Sequence, residues 1–137
     1  MAVRREWTIG SHRAHFEEPD LLVMKYNGKF NLEEARLVVE LYREVGTQRP
    51  FFLLADITGA EIASDARKHL TDQIKPEWFR GIVYAGASPV MRAVGKAMAV
   101  TFYFTGKWST PFEFTATAEE ARALIARLRE KQQANPT

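Results

Sequence analysis

Two runs, Phe51-Phe52-Leu53-Leu54-Ala55 and Gly81-Ile82-Val83-Tyr84-Ala85, are apolar at nearly every consecutive position. A strand that buries only one face alternates, whereas one buried on both faces reads as an unbroken run. Such strands belong to parallel sheets covered by helices on both sides, so the flanking segments should be helical. They are. Asn31 with Glu34 forms a capping box, and Ala35, Val38, Tyr42 and Val45 then define one helical face, with Gly46 as the expected stop. Ser64 reads as the N-cap of a second helix reaching about Ile74, with Pro76 just beyond. Ser88 and Pro89 open a third, which runs to about Phe104. Pro111–Thr115 is a last strand, and Thr117 with Glu120 caps a final helix, Ala118–Lys131.

The N-terminal part is strand-like. Trp7 and Ile9 alternate with polar neighbours, and Ala14 and Phe16 alternate in the opposite phase, so a bulge or turn belongs at Gly10-Ser11. Glu18-Pro19-Asp20 is a turn signal before the strand Leu21–Tyr26, which makes a leading antiparallel hairpin. The expected fold class is α/β: a mixed, mostly parallel sheet with an N-terminal antiparallel hairpin and about four helices. One domain over residues 1–131 accounts for the pattern, with 132–137 a frayed polar tail.

The 137 residues are 46% apolar and 26% charged, and suffice for one core without a staple. The absence of cysteine rules out disulfides, thiolate metal sites and cysteine catalysis. A net charge of +2 is too small a surplus for a nucleic-acid surface. Arg4-Arg5 is followed by Glu6 and Trp7 instead of an apolar segment, and Val90–Phe104 carries Arg92 and Lys96. Neither an export signal nor a transmembrane segment is expected, and the chain reads as cytoplasmic.

Catalytic and metal motifs are missing. His12 and His15 are three apart, which on a strand puts them on opposite faces, and His69 stands alone on a helix. All three read as solvated, so no metal is expected. There is no Gly-x-Ser-x-Gly elbow, no Walker pattern and no Gly-x-Gly-x-x-Gly. Tyr84–Pro89 is a strand, a small-residue turn and a helix start, an arrangement that can hold an anion but is also an ordinary connection. Glu61 and Asp65 are further carboxylates beside Asp56, without a spacing that demands acid–base work. Neither an enzyme nor a cofactor is expected.

Two candidate regions remain. Asp56 ends one buried strand and Gly86 follows the other. If the strands are parallel neighbours, Asp56, Thr58, Gly59, Gly86 and Ser88 share one rim, where open α/β sheets favour ligands. The second region is Val90–Phe104, which has no acidic residue and more apolar surface than one helix face needs. Val94, Met98, Phe102 and Phe104 are expected to wall an apolar pocket, or this surface pairs two copies into a homodimer. Arg92 and Lys96 form a basic stripe on it at i, i+4 spacing.

The element order resembles the STAS domain, the fold of anti-sigma-factor antagonists of the SpoIIAA-like family. Local matches are Leu54-Ala55-Asp56-Ile57-Thr58-Gly59 and Phe112-Glu113-Phe114. Glu119–Ile125 is similar to the ending of an uncharacterised SpoIIAA-like branch that is grouped with CRAL-TRIO-type lipid-binding folds. The resemblance implies a non-enzymatic regulatory module with a protein partner, meeting it through Asp56–Arg67 with Ser64, Asp65 and Arg67 on the contact. The lipid-binding relatives imply an alternative apolar ligand near residues 90–114. Phosphoswitch members carry Asp-Ser-Ser-Gly where the second helix starts. This chain has Ser64-Asp65-Ala66-Arg67, which puts Ala66 at the phosphoacceptor position, so the usual phosphoserine switch is not expected.

Overall fold

The structure, a computed structural model, describes residues 5–105 and 110–134; the side chains at 94, 98–99 and 101–105 lie outside that description. Strands β1 (Arg5–Ile9), β2 (His12–Glu17) and β3 (Leu21–Lys25) form an antiparallel meander. The opposite phases of Trp7 and Ala14 have a simple cause: the chain turns at Gly10 (φ 60°) and lays these two residues opposite each other. The leading hairpin is thus three strands, not two.

After β4 (Lys29–Phe30) and helix α1 (Leu32–Gln48), β5 (Phe51–Asp56) enters the sheet parallel to β3. Next come β6 (Glu61–Ile62), α2 (Ser64–Gln73), a short 3₁₀ turn (Pro76–Trp78) and β7 (Phe79–Ala85), parallel to β5. Helix α3 (Pro89–Thr105), β8 (Phe112–Phe114) and α4 (Ala118–Ala134) complete the chain, with β8 parallel to β7. The sheet order is β1-β2-β3-β5-β7-β8, a mixed α/β sheet whose two apolar runs are interior.

β5 shows why the run is continuous. Phe51, Leu53 and Ala55 pack on the side covered by α1, with Met24, Val38, Tyr42 and Phe79. Phe52 and Leu54 pack on the other, with Val83, Ala121 and Ile125 of α4. Each fully buried Phe or Leu contributes roughly 2 kcal/mol of hydrophobic stabilisation, which polar residues at alternate positions would forfeit.

Several boundaries differ from the sequence reading. Gly46 does not stop α1, which runs to Gln48; it lies under Trp78, where a Cβ would overlap the indole side chain. Ser64 is not an N-cap. Ala63 occupies that position, and the Arg67 N–H bonds to the Ala63 carbonyl. Asp65 Oδ1 accepts from the Ala66 N–H at 2.8 Å, so the carboxylate serves the helix start instead of the hydroxyl. The second apolar strand begins at Phe79, two residues early, and Arg80 is the extra residue at which the register against β5 shifts. Two-residue strands β4 and β6 pair in a parallel ladder that no periodicity foretells. Helix α4 continues past Lys131 to Ala134, with Gln132 bonded to Arg80.

His12 is the largest departure. It is fully buried, not solvated. Its Nδ1 accepts from the Asn27 N–H at 2.9 Å, its Nε2 lies 3.2 Å from Glu34 Oε1, and its ring packs edge-on against Phe30. Glu34 Oε1 also accepts from the Asn31 N–H as part of the capping box of α1. One carboxylate therefore ties the start of α1 to the second strand. His15, on the other face of β2, bonds Glu17 at 2.7 Å.

Candidate functional site

The rim forms where three parallel strands end in register: Lys25 of β3 opposite Asp56 of β5, and Asp56 opposite Ala85 of β7. Backbone bonds continue past the strands, with Tyr26 N–H donating to the Asp56 carbonyl and Ile57 N–H to that of Ala85. The rim residues are neighbours because the two buried strands are.

Asp56 is the anchor. Its Oδ1 accepts from the Thr58 hydroxyl at 2.7 Å and the Thr58 N–H at 3.0 Å, and its Oδ2 from Lys25 Nζ at 3.1 Å. Partial burial works to raise its pKa, but the Thr58 and Lys25 hydrogen bonds outweigh it and hold the carboxyl below its ordinary value. A carboxylate engaged at both oxygens organises a loop; it is not poised to take a proton. Gly59 (φ 71°) supplies the turn that follows. Gly86 (φ 81°) closes the rim, so near to Thr58 that no side chain fits between them.

In the turn from β7 into α3, two of the backbone N–H groups are engaged within the protein. The Ala87 N–H donates to the Thr115 carbonyl, and Ser88 Oγ caps α3 by accepting from the Met91 N–H at 3.2 Å. Arg92 folds back, donating to the Ala87 carbonyl, whereas Lys96 is exposed beside β8. The two do not share one set of partners.

The first turn of α2 stands at the same end of the molecule, joined to the rim through β6 and the Gly28 and Phe30 carbonyls. Ser64, Asp65 and Arg67 are exposed, and Ala66 between them is fully buried. The Ser64 hydroxyl makes no hydrogen bond among the described residues.

Of the second candidate region, the side chains of Val94, Met98, Phe102 and Phe104 lie outside the described residues. The described part of α3 exposes Val90 (72%), Met91 (40%) and Val100 (54%). A cleft of about 340 Å³ lies between the helix, at Gly95, Lys96 and Val100, and Phe112–Phe114 of β8. Phe114 stacks on Tyr84 with ring centroids 4.7 Å apart.

Sequence reasoning missed a polar cluster at the opposite end of the strands. Asp20, 3% exposed, accepts from Arg80 Nη1 at 2.9 Å and from Arg129 Nε at 3.0 Å and Nη2 at 2.6 Å. Both guanidiniums lie over the Phe52 ring, 4.7 and 5.6 Å from its centroid. The visible signal was Arg80, a charge inside an apolar run, but its partners stand 60 and 52 residues away. No group of metal-ligating side chains forms among the described residues, and none of their helices is long and apolar enough to cross a membrane.

No family model matches the chain, and no curated protein matches it either. Solved structures do. An uncharacterized protein from the DUF3478 family with a SpoIIAA-like fold, from Shewanella loihica PV-4, superposes with a TM-score of 0.60 at 19% identity, over 90% of this chain and 96% of that one. The chain has a SpoIIAA-like fold. The anti-sigma factor antagonist SpoIIAA in its unphosphorylated form superposes with a TM-score of 0.52 at 14% identity, over 87% of this chain and 98% of that one. Both superpositions span most of the chain, so the likeness is one of the whole fold.

Proposed function

We propose that this chain is a non-enzymatic regulatory module that binds a protein partner through its rim and the first turn of α2, without the usual phosphoserine switch. The observation that carries the reading is the alternation along that turn. Ser64, Asp65 and Arg67 are exposed around a buried Ala66, beside a loop held rigid by Asp56. A preorganised polar surface loses little entropy on association. Ala66, at the position the resemblance assigns to the phosphoacceptor, has neither a hydroxyl nor access to a kinase. The fold's occurrence in an anti-sigma factor antagonist supports a partner of the sigma-regulator class.

The test is capture of a partner with the purified chain, followed by titration of the recovered protein against Arg67→Glu and Asp65→Lys variants. A loss of at least tenfold in affinity is expected. Unchanged affinity in both variants would move the interface elsewhere and overturn the reading.

A second reading has its own observation, the exposed Val90, Met91 and Val100 beside the cleft under α3. That surface suits an apolar ligand or a second copy of the chain. Saturable uptake of a fluorescent fatty acid by delipidated protein would support the ligand. A 31 kDa species in sedimentation, about twice the mass of one chain, would support the homodimer.

A further inference from the structure

We propose that the groove at the end of the sheet opposite the rim binds a phosphate group, carried by a soluble ligand or by a lipid headgroup. The groove is about 500 Å³ and is lined by Asp20, Arg49, Arg80 and Arg129 with Pro50 and Gln133 among others. Three arginines face one carboxylate there, a surplus of two positive charges, and the carboxylate is already committed. Asp20 is buried and occupied by Arg80 Nη1 and by Arg129 Nε and Nη2.

The geometry makes this more than a structural ion cluster. Asp20 holds the inner edges of both guanidiniums, and Phe52 and Gln132 fix their planes. The other edges, Nη2 of Arg80 and Nη1 of Arg129, have no partner among the described residues. Both side chains are 31% exposed. Each thus offers oriented N–H donors to the groove without further loss of rotamer freedom. Arg49, the C-cap of α1, is exposed in the same groove; its N–H donates to the Val45 carbonyl, and its guanidinium makes no hydrogen bond or ion pair among the described residues. A phosphate monoester carries close to two negative charges and three acceptor oxygens, which matches the surplus charge and the donor edges that line the groove. A carboxylate ligand would offer half that charge.

Titration calorimetry with inorganic pyrophosphate at low ionic strength, on the full chain, tests the soluble source. Co-sedimentation with phosphatidylcholine vesicles, with and without a phosphoinositide, tests the headgroup. Saturable binding is expected in at least one arm, weakened at least tenfold by Arg49→Glu and severalfold by Arg49→Ala. Arg36→Glu changes net charge equally on an exposed part of α1 outside the groove and should leave binding within twofold. Absence of saturable binding in both arms, or equal losses in Arg49→Glu and Arg36→Glu, would overturn the proposal. The Arg49 substitutions leave its backbone cap on Val45 in place and remove no side-chain hydrogen bond or ion pair, and an unchanged circular dichroism spectrum verifies that each variant is folded.

Discussion

Gly86 and Thr58 meet so closely that a Cβ built on Gly86 would overlap the Thr58 hydroxyl and stand 2.8 Å from the Thr58 nitrogen. This contact joins the ends of β5 and β7, and it depends on a residue without a side chain. Gly86 also sits at φ 81°, where L-residues are strained. Gly86→Ala is therefore expected to lower stability by about 3 kcal/mol, strain and overlap together. Urea denaturation checks it. Gly28→Ala is the comparison, because Gly28 has φ 67° but open space around its Cβ position. It should cost only about 1–2 kcal/mol.

The two helix starts make opposite predictions. Asn31 caps α1 in a full capping box, so Asn31→Ala should cost about 1 kcal/mol. Ser64 is exposed and caps nothing, so Ser64→Ala should stay within about 0.5 kcal/mol of the parent. Chemical denaturation of the two variants side by side separates them.

Removing the charge of Asp20 leaves two guanidiniums facing each other over Phe52. Asp20→Asn keeps the shape and should destabilise by about 3 kcal/mol, the scale seen when one partner of a buried ion pair is lost. Thermal unfolding should show a clear fall in Tm. A fall no larger than that of an exposed substitution such as Glu33→Gln would mean that the arginines reach solvent readily.

Glu17 sets an acid limit. The paired hydrogen bonds from Arg122 hold its carboxyl at about 2, against partial desolvation and with help from His15. A carboxylate depressed in the folded state stabilises above its ordinary pKa of 4.5, and that stabilisation disappears as pH falls from there toward 2. Both partners are more than a third exposed, so solvent screening reduces the contribution to about 1 kcal/mol. The stability difference between the parent and Glu17→Gln should be near that value at pH 7. It should shrink toward zero by pH 2, as followed by urea titration across pH.

Local patterns were legible where the chain's own neighbours decide them. The unbroken runs at Phe51–Ala55 and Gly81–Ala85, the Asn31–Glu34 box and the Ser88 cap all appear in the structure, since period and capping act within a few residues. The co-location of Asp56, Thr58 and Gly86 followed from parallel adjacency of the two strands. Ser64 and Asp65 show the limit of that reasoning: a hydroxyl one residue late loses the cap, and a shift of one residue is below what propensity resolves.

By itself, the sequence determined an α/β chain with two doubly buried strands, because hydrophobic period depends on which faces meet water. Only the tertiary structure decided the fates of its buried charges and close contacts. His12 has nothing in its neighbourhood to announce burial; Asn27 and Glu34 satisfy it from 15 and 22 residues away. Gly46 reads as a helix stop until Trp78 is laid across it. Asp20 and Arg129 are ordinary surface residues in one dimension, and Arg80, a charge inside an apolar run, names no partner. They become a single ion cluster when α4 crosses the sheet and brings together residues up to 109 positions apart. A polar group's partner is a property of chain crossing, which no local pattern encodes.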